Sequence, residues 1–492
     1  MKYYCLEARL LAPLMIQQSR RSNAPAGLRH LTGSTLRGAL ARKWLQEVGS
    51  AEDEGFRRLF LEDPVHFPDL LPAPPGADTH PGEPVRADAR AGADTQAGAD
   101  TQVRPYGFTA IVGADTQAGA DTQAGAQVRA GADTQAGAQV RAGADTQVRP
   151  YGFTAIVGAD LGVRPGTHPG SAPAHPGSAP LGPVPVIPRP LPLTAVSCKR
   201  KPGFLAHGAH GAGDSLAMVA MGRLEGREVE GGAWECRHCR QDLKPLAGVW
   251  NGDPERPCKL DPAMIFERHT GIDRQTGTVA QSIFFTTQAM ADWRKEEGSD
   301  DFFPQVLAGG LYLDDKQLEH LRPLVEEGTV FAGAERTRGF GELELALREA
   351  APPSWSVREW DEKFRAKYAG LKGSEPPEGV YFSLLALSPA VWVDELLRPS
   401  GEPDFSFPGA ECVAKALKVR TVRGWQSAWG LPKPDDRAVS AGSVFLFRYR
   451  GEDLEGLEKS LKSLEREGWG LRREEGFGRV GVCEPLHNVE VI

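Results

Sequence analysis

The residues best suited to chemistry fall into three groups. Cys236-Arg-His-Cys239 has the two-residue spacing that lets both thiolates reach one metal ion, and Cys198 and Cys258 supply two further thiols. The expected ligand set for a structural Zn²⁺ is therefore Cys198, Cys236, Cys239 and Cys258, with His207, His210 and His238 as substitutes in the same stretch. No catalytic zinc signature accompanies them. The second group is a pair of glycine loops, Arg336-Thr-Arg338-Gly339-Phe340-Gly341 and Arg472-Arg-Glu-Glu-Gly476-Phe477-Gly478-Arg479. Glycine lets backbone approach a ligand closely and offer N–H groups to phosphates, and Arg336 and Arg338 add charge. The third is the acid-free stretch Ile16–Gln46, with Arg20, Arg21, Arg29, Arg37, Arg42 and Lys43. It leads into a helix that Thr32, Ser34 or Thr35 can cap, and a capped helix start beside basic residues is an anion site.

Two further stretches suit polyanion contact. Arg268-His269-Thr-Gly-Ile-Asp273-Arg274-Gln-Thr-Gly277 reads as a hairpin or protruding loop with polar contacts. Arg420 and Arg423 stand beside Trp425 and Trp429, a pairing that can hold phosphates and stack on bases. Gly476, Gly478 and Gly481 match G-x-G-x-x-G, but that motif must open a helix in a βαβ unit, and only a short tail follows Gly481.

The elements that position these residues repeat. The two Gly-Phe-Gly cores start 137 residues apart (339 to 476). Leu311-Tyr-Leu313 and a helix with Leu318, Leu321, Leu324 and Val325 precede the first; Phe445-Leu-Phe447 and a helix with Leu454, Leu457, Leu461 and Leu464 precede the second. Strand, amphipathic helix, glycine loop and strand recur, which argues for two domains of one fold. Leu36, Leu40, Trp44 and Val48 form the expected buried stripe of the first helix.

The 492 residues carry a net charge of −8, so no global basic field points to nucleic acid. No apolar run is long enough to span a membrane, and the start lacks a signal-peptide pattern. Seven cysteines, an odd count, read as reduced thiols or metal ligands, and the expected compartment is the cytoplasm. The expected organisation is a first domain begun in 1–72, a repetitive insertion at 73–183, a four-cysteine zinc-binding insertion at 184–262, the rest of the first domain at 263–350, a linker at 351–378 and a second domain at 379–492. Within 73–183, Val103–Asp115 recurs verbatim at 148–160 and Gly-Ala-Asp-Thr-Gln is iterated, a composition expected to be disordered.

Gly33-Ser-Thr-Leu-Arg-Gly-Ala-Leu40, His269-Thr-Gly-Ile-Asp-Arg274, both Gly-Phe-Gly loops and Gly424-Trp-Gln-Ser-Ala-Trp-Gly-Leu-Pro-Lys433, in that order, resemble the CRISPR-associated RAMP superfamily. Within it the chain resembles the large RAMP subunit of type III-D effector complexes, the Csx-ten family of the Cas-five group. The resemblance spans most of 1–70 and 190–492. It implies an α+β fold of two ferredoxin-like (RRM-like) domains that cap the five-prime handle of a crRNA. The implied partners are the Cas-ten large subunit, Cas-seven-like backbone RAMP subunits and target RNA, with no membrane. The glycine loops and first helix would grip the handle, and Ile272-Asp273-Arg274 would belong to a thumb-like hairpin. RAMP subunits that cut target RNA carry an aspartate before the Gly-Ser-x-Leu-x-Gly helix, whereas Gln17–Leu31 holds no carboxylate. The expectation is a binding subunit with no catalytic residue. The alternative is a metal-independent RNA endonuclease that processes crRNA with His30 or His269 as base.

Overall fold

The structure, a computed structural model, describes residues 1–17, 27–62, 64–74, 153–156, 187–205, 208–225, 235–295, 302–372, 375–403, 405–426 and 430–488. Arg20, Arg21, His207, Trp429 and most of the 73–183 insertion lie outside them. The architecture is α+β, with small antiparallel sheets and helices packed on them.

The first sheet has the spatial order Val330–Phe331, Glu342–Glu349, Lys2–Leu10, Val306–Leu313, Leu71–Ala73, antiparallel throughout. Its four longer-range partners follow the chain as strand, helix Gly33–Glu47, strand, strand, helix Asp315–Glu326, strand. Lys2–Leu10 is central, and its residues Tyr3–Leu6 are buried on both faces. Thr32 caps the first helix: its hydroxyl accepts the Thr35 N–H at 3.3 Å. Leu36, Leu40 and Trp44 face the core as expected, but Val48 is 52 % exposed because the helix ends at Glu47. Asp314 and Gln317 form a reciprocal capping box on the second helix. Lys43 is buried and donates to the carbonyls of Leu324 and Glu327, so a cation closes that helix's negative end.

The second sheet orders Ala410–Ala416, Val444–Tyr449, Val380–Ala386, Val480–Val482, the same order as the four main strands of the first sheet when read by chain position. Among the described residues no helix joins its first two strands in chain order, Val380–Ala386 and Ala410–Ala416. Two helices from elsewhere share its core instead. Leu216–Glu225 contributes Leu216, Ala217, Ala220 and Met221, and Val357–Lys372 contributes Trp360, Phe364 and Tyr368. Segment 351–378 is therefore not a mere linker, since its apolar residues recur every four positions and are buried. Segment 184–262 likewise belongs in part to the second core.

Of the repetitive insertion, residues 153–156 form a strand beside Thr270–Asp273. That departs from an insertion without structure: the Phe-Thr-Ala-Ile run has β propensity and meets an open hairpin edge there. Among the described residues no helix is long and apolar enough to cross a membrane.

Candidate nucleic-acid interface and metal centre

The two glycine loops have one conformation. Glu335 (φ +57°) and Arg472 (φ +60°) each begin a single 3₁₀ turn in the left-handed region, and Gly339 (φ +85°) and Gly476 (φ +90°) each end one. Gly341 and Gly478 follow, also left-handed, at positions where a Cβ would lie 1.9 Å from the carbonyl oxygen of Ala332 or Trp469. Only glycine fits there. The N–H groups are already engaged: Gly341 donates to Pro13 (2.8 Å) and Gly478 to Pro389 (2.8 Å), while Gly339 and Gly476 donate within their own turns. The loops are thus strand-to-sheet corners rather than open N–H cradles.

Their surroundings differ. In the first loop Arg336, Thr337, Arg338 and Gly339 are exposed, and Phe340 is buried beside Met15, Ile265, Ala289 and Ala291. Burial, and then the charge of Arg42, hold the Arg336 guanidinium below its usual range. Arg338 pairs with Glu335 at 3.1 Å.

The second loop is closed off by the first domain. A Cβ on Gly33 would sit 2.9 Å from the Gly476 Cα, and one on Gly476 would sit 3.0 Å from the Gly33 Cα. Glu475 accepts from Ser34 (3.2 Å), Lys433 (2.6 Å) and Arg472 (2.8 Å), and Arg472 also holds Asp436 at 2.5 Å. The Arg472 guanidinium lies 4.6 Å above the Phe477 ring. Arg479 donates to the His66 carbonyl, and its own N–H goes to Ser388. The start of the first helix is filled too: Gly33 N–H donates to Asp69 at 2.8 Å. The protein's own carboxylates therefore occupy the position expected for an anion. Ser34, Gly476 and Arg479 meet the other domain at this junction, whereas Thr35 bonds Thr32, Phe477 packs on Val391, Val422 and Ala438, and Gly478 donates to Pro389. Arg37 is likewise engaged, donating to the Phe60 carbonyl at 2.6 Å.

A long hairpin, Met264–Asp273 with Val279–Met290, packs its base on Phe340. Strand alternation divides its residues. Phe266, Arg268 and Thr270 share one face with Phe284, which pairs across from Thr270; Phe266 and Phe284 are 50 % and 55 % exposed. His269 points to the other face, buried and stacked on Phe285 at 4.8 Å. Burial and then Arg338 hold His269 below its usual pKa, so it is neutral at neutral pH. Asp273 accepts the N–H groups of Gln275 and Thr276 (2.8 and 3.1 Å), closing the turn beside exposed Arg274. Phe266 and Phe284 were not singled out in the sequence; the two-residue alternation Phe266-Arg268-Thr270 was the available signal.

A shorter hairpin, Val419–Val422 with Asp436–Val439, leads to Trp425–Gln426 paired with Leu431–Pro432. Trp425 is 42 % exposed, and Arg423 pairs with Asp435 at 3.1 Å. Burial pushes His30 down against the pull of Asp69, and Arg420 adds to the lowering. Arg29 pairs with Asp261 at 3.7 Å.

The cysteine cluster departs from expectation at one ligand. Cys198, His210, Cys236 and Cys239 bring their donor atoms within 4.8 Å of one another, and they fit a metal ion. Cys198 Sγ is 3.4 Å from Cys239 Sγ, and Cys236 Sγ is 3.5 Å from His210 Nδ1. A tetrahedron with metal–sulfur bonds of about 2.3 Å has edges near these lengths. Cys258 is not part of the group. It precedes the strand Lys259–Leu260, and its backbone pairs with Asn251, which carries it to a different sheet from the one that holds Cys198.

No protein-family model matches the chain, and no curated protein sequence does. Among solved structures, a chain of the type III-B Cmr-beta complex bound to cognate target RNA and AMPPnP is 13 % identical, with 93 % of this chain and 93 % of that chain covered at a TM-score of 0.32. A chain of type III-B Cmr-beta bound to cognate target RNA is 12 % identical, with 94 % and 95 % covered at a TM-score of 0.33. Thermus thermophilus Cas6 is 16 % identical, with 37 % of this chain and 75 % of that chain covered at a TM-score of 0.20.

Proposed function

We propose that this chain is a non-catalytic RNA-binding subunit of a type III-D CRISPR effector complex, holding the five-prime handle of a crRNA and touching the Cas-ten and Cas-seven-like subunits. One observation carries the RNA reading. The exposed cations Arg336 and Arg338 stand beside Phe340, on which a hairpin packs its base, and the solvent face of that hairpin presents Phe266, Arg268 and Phe284. Cations bind the sugar–phosphate backbone regardless of sequence, and exposed aromatic rings stack on unpaired bases. The two sheets with matching strand order are read as ferredoxin-like domains. Strand order alone fits many functions; the motif order and this surface narrow it.

The chemistry needed for cutting is poorly supplied. Attack by a 2′-hydroxyl needs a base within reach, and His269 is sealed beneath Phe285 while His30 is drawn toward Asp69. The metal of Cys198, His210, Cys236 and Cys239 is read as a structural zinc: four protein ligands leave no open position for a substrate.

Co-purification of the chain with the products of its neighbouring genes, followed by RNA sequencing, tests the reading. Enrichment of short RNAs that share one five-prime sequence is expected. Recovery of the assembly with no RNA, or of RNAs with no common end, would contradict it.

A further inference from the structure

The cysteine cluster does more than tie loops together. Three of its four ligands come from two segments, Cys198–Lys201 and Cys236–Lys244, each densely basic, and His210 supplies the fourth. Lys199, Arg200 and Lys201 follow the first ligand; Arg237 and Arg240 bracket the Cys239 ligand, and Lys244 follows. All six are exposed. Closure of the Cys198–Cys239 pair brings the two runs onto one surface. Against them stand Glu235, Asp242 and the single negative charge that a divalent metal keeps with three thiolates and a neutral imidazole. Lys199 pairs with Asp242 at 3.7 Å; among the described residues Arg200, Lys201, Arg237 and Arg240 form no ion pair. The face therefore remains positive in a chain whose net charge is −8.

The knuckle is also held rigidly. Cys236 N–H donates to Gln241 (2.7 Å), Arg240 N–H donates to Cys236 (2.8 Å), and Arg240 takes φ +56° to complete the turn. The Arg200 N–H points at the Cys198 sulfur (3.4 Å). Strand Ala195–Cys198 continues into the sheet with Ala212–Asp214 and Leu243–Pro245. Asp214, fully buried, sits 3.1 Å from His487 of the C-terminal segment, so the knuckle is anchored to the second domain.

We infer that Cys198, His210, Cys236 and Cys239 hold one zinc ion and that the loaded knuckle is a second RNA-binding surface, engaging phosphodiester groups through Arg200, Lys201, Arg237 and Arg240. This rests on the RNA-binding reading above and adds a separate contact to it. RNA is favoured over an acidic protein because the exposed residues of both segments are polar or charged. A protein interface would need apolar anchors, whereas phosphates need only spaced cations.

The test uses the full chain and a single-stranded RNA oligonucleotide of mixed sequence. Elemental analysis should find one zinc per chain, kept in Cys258→Ser and lost in Cys239→Ser. Cobalt substitution should give the visible spectrum of three sulfurs and one nitrogen. Arg237→Ala/Arg240→Ala, with metal and melting temperature unchanged, should bind RNA on the order of tenfold more weakly. Its salt dependence should be shallower by about 1.4 in log–log slope, since about 0.7 is lost per phosphate contact to a single strand. Zinc loss in Cys258→Ser, or a four-sulfur cobalt spectrum, would overturn the ligand set. Unchanged RNA affinity in the double variant would overturn the surface while leaving the wider reading intact. Failure of the unmodified chain to bind RNA would overturn both. Loss of binding to polyglutamate but not to RNA would assign the face to a protein partner instead.

Discussion

Ser34 donates its hydroxyl to Glu475 at 3.2 Å, joining the start of the first helix to the second glycine loop. The same carboxylate takes charge-assisted hydrogen bonds from Arg472 and Lys433. One acid from the C-terminal domain thus sits where the helix dipole and the neighbouring basic residues favour an anion.

Glu475 makes the domain junction sensitive to acid. Burial alone would raise its pKa, but the hydrogen bonds from Arg472 and Lys433 prevail and hold it down at about 2, against an ordinary 4.5. The folded form therefore releases this proton more readily than the unfolded form. The stabilisation is complete above about pH 4.5 and is lost as pH falls toward 2. Glu475→Gln should cost about 2 kcal/mol near neutral pH, less than a fully buried pair would. Urea unfolding should show the difference from the parent chain shrinking as the pH is lowered.

The glycines of the corners are not equivalent. Gly341→Ala and Gly478→Ala add a Cβ against a backbone carbonyl at positive φ, and each should cost about 3 kcal/mol or more. Gly339 also has positive φ, but open space surrounds its Cβ direction, so Gly339→Ala should cost only about 1 kcal/mol. Melting temperatures of the three variants should rank accordingly.

The corners were legible in the sequence because Gly-Phe-Gly recurs with its helix and strands at a constant offset, and an amphipathic pattern survives in each copy. What each loop faces was not legible. Both copies read alike, yet Gly476 is buried against Gly33 while Gly339 is exposed, a difference set by docking between residues more than four hundred positions apart. Basicity misled in the same way: Arg37 and Lys43 looked like part of a polyanion surface and instead close carbonyls inside the first domain. Spacing found Cys236 and Cys239 but led to Cys258 where the structure brings His210, since that choice depends on which strand each precedes. The segment 351–378 was expected to be a linker, whereas Trp360, Phe364 and Tyr368 recur at the four-residue spacing of a buried helical stripe.

A second titration runs with the opposite sign. Burial pushes Glu465 up to about 7, against the hydrogen bond it accepts from Trp355 and the charge of Arg189. It faces a cavity of about 50 Å³ between the domains, lined also by Tyr3, Tyr312 and Arg479. Because the folded form keeps the proton, stability is full below the unfolded value of about 4.5 and declines as pH rises through about 7. Glu465→Gln keeps the Trp355 acceptor and removes the charge. Its unfolding free energy should exceed that of the parent above about pH 7 and match it below about pH 4.5.

The most direct test of the central claim uses the full chain and an end-labelled single-stranded RNA. Affinity should fall with salt, and Arg336→Ala/Arg338→Ala should weaken binding on the order of tenfold and flatten the log–log salt slope by about 1.4. Phe266→Ala/Phe284→Ala should weaken binding with little change in that slope, because stacking releases no counterions. The RNA should be recovered at full length. Site-specific fragments that disappear in His30→Ala or His269→Ala, or an affinity unaffected by both double variants, would contradict a subunit that holds RNA at this surface without cutting it.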